Sequence, residues 1–249
     1  MKTEWDYTEL AKAYLKRPNY SGVAIDAMIK TADMKKGTAV CDVGAGVAHL
    51  SLELASRSFN VKAVEPNNAM RAFGKERTKH LTNIDWEEGI GEATKQKPAF
   101  FEMVTFGSSF NVCDPKPTLL ETARILKPNG WFACMYNNRY LRDPIQLGIE
   151  NIIKEALPEY KYGFRRENHT QIIEESELFG PVVQISSSII HKQKITACVE
   201  AWRSHATLAR QAASKFDLII AAIKEYLEGL GKDEIEVPYQ TNIWLAQLK

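Results

Sequence analysis

Short apolar runs, each closed by a glycine or polar turn, alternate along this chain with stretches whose apolar residues recur at helical spacing. Residues 39–43, 61–64, 101–106 and 131–136 are nearly continuous in apolar and β-branched side chains, the pattern of strands buried on both faces. A shorter run near 84–86 and two later ones, 181–190 and 234–248, complete a set of seven strands. Helical periodicity fills the gaps. It appears over 4–17, from Ser21 through Ile25, Met28 and Ile29, at Leu50, Leu54 and Ala55, from Asn67 or Asn68 onward, and over 117–126. Further along it returns over 143–157, 195–213 and 215–230. Strands alternating with helices predict an α/β fold: a doubly wound seven-stranded sheet with helices on both faces. The whole chain, 1–249, reads as one domain, in which the helices of 1–35 and the segments 140–175 and 195–230 form a helical cap.

Charge and cysteine usage narrow the class of partner. Lys plus Arg number 32 against 31 for Asp plus Glu, a net charge of +1. So even a balance gives no electrostatic footprint for nucleic acid, and none is expected as a partner. Cys41, Cys113, Cys134 and Cys198 are far apart and none is spaced as a metal ligand. Buried thiols in a reducing cytoplasm are expected, with no metal. No run approaches membrane-spanning length and the N-terminus has no apolar signal region, so no membrane association is expected.

The candidate chemistry lies between Thr38 and Asn67. Gly44 and Gly46 close the first strand, where a backbone without Cβ atoms can turn sharply and approach a ligand. Asp42 stands two residues before the first glycine, and Glu65 ends the next strand, 19 residues past Gly46. A carboxylate in Glu65's position can accept both hydroxyls of a ribose. A dinucleotide would lay its pyrophosphate on the following helix, but a third glycine in that spacing would fall at His49, and Asp42 would repel phosphate. Asp42 could instead accept hydrogen bonds from an ammonium. A ligand with a ribose, a positive charge and no phosphate fits this pattern, which points to S-adenosylmethionine.

The ordered motifs resemble those of class I S-adenosylmethionine-dependent methyltransferases, a Rossmann-like family. They are Asp42 to Leu50 around the glycine pair, Val64 to Met70 with Glu65 and Pro66, Phe101 to Thr105, and Arg124 to Gly130. The opening Tyr14 to Tyr20, with Arg17 and Pro18, and the helical tail after Ile195 are similar to the trans-aconitate methyltransferase-like branch of small-molecule enzymes. The resemblance implies that Asp42, Gly44 and Gly46 line the methionine and ribose, and that Glu65 holds the ribose hydroxyls. Pro66 and Met70 would flank the adenine, Gly91 and Glu92 would meet its edge, and Gly107 with Ser108 would lie below the methionine part. Tyr14, Arg17 and Tyr20 are placed to reach a carboxylate tail. Three positions depart from the pattern: Ala48 replaces a third glycine, Ile90 an acid beside the adenine amine, and Asn111 with Val112 a His-Trp pair.

Methyl transfer is an in-line displacement that needs alignment, and needs a base only when the acceptor carries a proton. Arg17, Arg139, Arg165, Arg166 and Arg203 are the candidate cations; His169, His191 and His205 are the candidate bases. Arg203 and His205, with Trp202, and Arg139 after the fifth strand form the expected acceptor pocket. Arginines outnumber bases, which favours a small anionic metabolite methylated on O or N by a monomer or homodimer. A tRNA or other macromolecular methyltransferase is the alternative, as is a non-catalytic protein that only binds the cofactor.

Overall fold

The computed structural model describes Thr8 and residues 11–249. Of the helix expected over 4–17, the described part is α1 (Ala11–Tyr14); residues 4–7, 9 and 10 lie outside the described residues. Helix α2 (Gly22–Thr31) starts at Ser21, whose hydroxyl accepts from the Ala24 amide while its own amide donates to Thr241 Oγ1 at 2.8 Å. Capping therefore fixes both the helix start and its seat on the sheet.

The sheet has seven strands in the order β3-β2-β1-β4-β5-β7-β6. Strands β1 (Ala39–Val43), β2 (Asn60–Val64), β3 (Ile84–Glu87), β4 (Phe101–Gly107) and β5 (Leu126–Arg139) run parallel. Strand β7 (Glu234–Gln247) runs antiparallel to β5 and also to β6 (Val183–Lys194). The strand order reverses between β1 and β4, so a crevice opens outside their carboxyl ends, where such sheets bind ligands.

Two apolar layers cover the sheet. On one face α2 and α3 (His49–Ser56) bury Ile25, Met28, Leu50 and Leu54 against Val40, Met103 and Met135. On the other, α5 (Pro115–Ile125) and α7 (Thr170–Glu174) bury Leu119, Ile125 and Ile173 against Phe106, Phe132 and Tyr136. The turn after β2 is capped by Asn67, whose side chain accepts from the Met70 amide at the start of α4 (Asn68–Thr78).

A separate core joins α6 (Pro144–Ala156), α8 (Ile195–Arg203), α9 (Ala206–Ala212) and α10 (Phe216–Glu228) to the far ends of β6 and β7. The single helix expected over 195–213 is in fact two. Ser204 Oγ donates back to the Ala201 carbonyl, Arg17 Nη2 takes the Ser204 carbonyl at 2.8 Å, and His205 caps α9. No proline or glycine marks this break; a contact from residue 17 and two side-chain caps make it.

Candidate active site

One cavity of about 900 Å³ opens at the strand-order reversal. Its floor is the β1 turn. Gly44 and Ala45 donate their amides to the Val64 carbonyl, at 2.8 and 3.1 Å, which folds the turn onto the end of β2. Gly44 has φ +68°, and a Cβ there would sit 2.3 Å from Ser109 Cβ. Ser109 in turn donates to the Val43 carbonyl at 2.6 Å, so Gly44 is needed for two strand ends to interlock. Gly46 differs: its φ is +55°, and a Cβ there would meet nothing within 4 Å. The space beside it is cavity. Ala48, which replaces the third glycine, holds a left-handed φ of 72° at the start of α3, a conformation that costs an alanine on the order of 1 kcal/mol.

Asp42 is buried beneath this turn. Ser51 donates to its Oδ2 at 2.5 Å and Thr105 to its Oδ1 at 3.1 Å. Burial outweighs these bonds and pushes the carboxyl up to about 7. Glu65 accepts the Gly46 amide on one oxygen and the Asn67 amide on the other, both at 2.8 Å, and Arg71 donates to its carbonyl. Its pKa is also raised by burial. Pro66, Met70, Ile90, Gly91 and Glu92 line the wall beyond it. The acid missing at Ile90 has no direct replacement, but Glu92 and Asp114 bring carboxylates to the same end, where the Asp114 amide donates to Glu92 at 2.7 Å.

Cations line the same cavity. Arg17 stacks 3.7 Å from the Tyr14 ring centroid, and Arg139 lies 4.1 Å over Trp202 and 5.5 Å from Tyr239. Arg165 donates to the Asn137 carbonyl at 3.2 Å. Asn137 also donates to the Asn19 carbonyl and accepts from Thr241, tying the N-terminal segment, β5 and β7 together beside the cavity. None of Arg17, Arg139 and Arg165 pairs with a carboxylate among the described residues. Tyr20 donates or accepts at Ser108 Oγ, 3.0 Å away, and burial pushes its hydroxyl up to about 12.

The cavity thus gathers Tyr14, Arg17, Asp42, Gly44, Gly46, Glu65, Pro66, Met70, Gly91, Glu92, Gly107, Ser108, Arg139 and His205. Arg203 is not among them. Its side chain is 46% exposed and pairs with Glu200 and Asp217, because the break after it turns His205 inward and leaves Arg203 on the outer face. His169 is buried among Phe110, Tyr136, Phe164 and Trp244 and does not reach the cavity. Arg165, one of the candidate cations, lines it, as does Asn137 beside Arg139, and His49 and Arg210 line it without having been singled out. Arg165 lies in the basic stretch 161–170, whose sequence has no periodicity to say which way a side chain faces.

A doubly wound sheet of this strand order, with a glycine turn after β1 and an acid after β2, is the Rossmann-like fold of the solved methyltransferases below. Residues 41–134 match the family described as a methyltransferase domain. Demethylmenaquinone methyltransferase of Staphylococcus haemolyticus is 30% identical over 112 residues, 43% of this chain and 47% of that protein. The uncharacterized methyltransferase YcgJ of Bacillus subtilis is 25% identical over 138 residues, 53% of this chain and 54% of that one. The chain thus aligns with about half the length of these curated relatives. The YcgJ crystal structure superposes with a TM-score of 0.57 at 16% identity, covering 92% of this chain and 99% of that chain. Phosphoethanolamine N-methyltransferase 2 of Haemonchus contortus superposes with a TM-score of 0.55 at 15% identity, covering 96% and 56%. No described helix is long and apolar enough to cross a membrane.

The ionisation of Asp42 gives a direct test of its role. A cationic ligand favours the carboxylate, so binding should release a proton below about pH 7. Affinity for S-adenosylhomocysteine, which keeps the ammonium, should tighten as pH rises from about 5 and level off above about 7. Unliganded protein should show the opposite trend. Its folded form holds a proton that the unfolded chain has lost, so this contribution to stability fades between the ordinary carboxyl range and about pH 7. Calorimetry in buffers of different ionisation enthalpy reads the proton directly. A pH-independent affinity with no proton release would remove Asp42 from the ligand's charge.

Proposed function

We propose that this protein transfers a methyl group from S-adenosylmethionine to a small anionic metabolite. The observation that carries the reading is that one cavity gathers two kinds of charge. Asp42, Glu65, Glu92 and Asp114 line it from the strand ends and the turns after them, and Arg17, Arg139, Arg165 and Arg210 line it as well. Acids suit a ligand with a ribose and a positive charge; arginines suit a carboxylate or phosphate. When bound, the cofactor supplies an electrophilic methyl group. Glu65, held by two backbone amides, would take the ribose hydroxyls, and Asp42 would meet the ammonium. The group formed by α6, α8, α9 and α10 serves as a cap that excludes water, while Arg17, Arg139 and Arg165, with Arg210 from α9, align the acceptor, and alignment supplies much of the rate in such displacements.

The arginines face inward and the net charge is +1, which favours a metabolite over a nucleic acid. Four free thiols, three of them buried, suit a reducing cytoplasm. The test is incubation with methyl-labelled S-adenosylmethionine and a metabolite extract, followed by mass identification of the labelled product. A small acidic product is expected. Label found only in macromolecules, or no saturable S-adenosylhomocysteine binding at millimolar ligand, would overturn the reading.

A further inference from the structure

His205 stands at the start of α9, where its Nδ1 accepts the Leu208 amide hydrogen at 3.3 Å. A ring nitrogen that accepts a hydrogen bond carries no proton, so the neutral ring holds its proton on Nε2. The ring stacks on Trp202 with centroids 5.3 Å apart and planes 21° apart, and Tyr162 meets it edge-on at 6.2 Å. His205 is 5% exposed and lines the cavity, and Nε2 has no partner among the described residues. Nε2–H is therefore a donor without a protein partner, on a ring that lines the cavity.

The surroundings keep the ring neutral. Arg17 from the N-terminal segment, Arg139 from β5 and Arg165 from the 161–170 loop all oppose a second proton, as does burial, the largest effect. Arg210 lines the same cavity from α9, and the nearby acid, Glu150 of α6, is engaged by the Tyr162 hydroxyl and by Lys154. The other histidine lining the cavity is equally committed. His49 Nε2 donates to the Tyr14 carbonyl at 2.9 Å and Nδ1 lies 3.1 Å from the Asn19 side-chain oxygen, so both ring nitrogens face atoms of the protein, and burial lowers its pKa to about 4. The His205 lone pair is held by the Leu208 amide, and the His49 ring is tied to Tyr14 and Asn19.

We infer that His205 donates a hydrogen bond to the acceptor's anionic group rather than acting as a base, and that the methylated atom enters with no proton to lose. This rests on the methyl-transfer reading above. An acceptor lone pair forms the bond to the methyl carbon, the carbon–sulfur electrons stay on sulfur, and no proton moves. His205 joins Arg139 and Arg165 in holding the acceptor so that this lone pair is aligned.

Two substitutions separate donor from base. In His205→Asn the shorter amide oxygen can still cap α9, asparagine being a favoured N-cap, but nothing reaches the Nε2 position. In His205→Gln an amide N–H can occupy the Nε2 position. Transfer of label to the product that the wild type makes should fall about 10- to 100-fold in the Asn variant, the cost of one hydrogen bond to a charged group. The Gln variant should stay within about threefold of wild type, less than half a tenfold step in free energy. S-adenosylhomocysteine affinity should be unchanged in both. Nitrogen-15 histidine spectra, with the Asn variant assigning the signal, should show His205 as neutral Nε2–H from mildly acidic to mildly basic pH. Equal loss of transfer in both variants, or a His205 signal that titrates near neutrality or carries its proton on Nδ1, would overturn the inference. If all forms fail to bind S-adenosylhomocysteine, the methyl-transfer reading fails, while the spectra still decide the tautomer.

Discussion

Purified Gly46→Asp should melt cooperatively, within a few degrees of the wild type, yet bind S-adenosylhomocysteine at least 100-fold more weakly. The position has φ +55° and open space where a Cβ would be. Aspartate tolerates left-handed backbone better than most residues, so the strain is about 1 kcal/mol, which lowers Tm by about 2–4 °C in a chain of this size. The new carboxylate enters the cavity beside Glu65, which already accepts the Gly46 amide at 2.8 Å, and takes the space a ligand needs. Gly44→Ala is the contrasting control. Its Cβ would lie 2.3 Å from Ser109 Cβ, so that substitution should lower Tm by more than Gly46→Asp does, through overpacking of two strand ends. Isothermal titration and thermal melts of both variants decide the matter. Affinity within threefold of wild type in Gly46→Asp would mean that the turn does not face the ligand.

These two glycines also show how far the sequence carries. That β1 and β2 are buried strands was legible because both faces are apolar and punctuation sits at their ends. The seats of Asp42 and Glu65 followed from that register, since a strand's last residues lie at the carboxyl edge. What separates Gly44 from Gly46, a clash with Ser109 against open space, depends on β4, which is 57 residues further along in sequence at its nearest end. The cap was least legible. The break at Ser204 depends on Arg17, 187 residues away, and it decides that His205 faces in and Arg203 out. Helical periodicity over 195–213 assigns both to one continuous surface and hides the turn. Which of the five candidate cations enter the cavity was hidden differently: Arg165 does so from a loop tied to the Asn137 carbonyl rather than ordered by any pattern of its own.

Arg165→Met should make transfer to the acceptor about 10- to 100-fold slower at limiting acceptor while leaving the unliganded protein at least as stable as the wild type. Burial, and then Arg17, Arg166 and Arg139 nearby, hold the Arg165 pKa below the ordinary arginine range, so in the empty protein its charge is opposed by its surroundings. Its one hydrogen bond, to the Asn137 carbonyl at 3.2 Å, is a modest return for placing a fourth guanidinium in that company. Methionine fills much of the same volume without the charge and removes the repulsion, so Tm should hold or rise. With an anionic acceptor present the balance inverts. The same charge then meets a carboxylate or phosphate in a site shielded from water, and losing one such bond costs about 1.5–3 kcal/mol of binding. Affinity for S-adenosylhomocysteine should not change, because Arg165 bonds the Asn137 carbonyl and makes no hydrogen bond or ion pair to Asp42 or Glu65. A variant that melts lower yet transfers label normally would show Arg165 to be a structural residue. A variant that is more stable and slower identifies the cluster as a site whose stabilising partner is the substrate, the exchange of folded stability for function expected where like charges are gathered to bind their opposite.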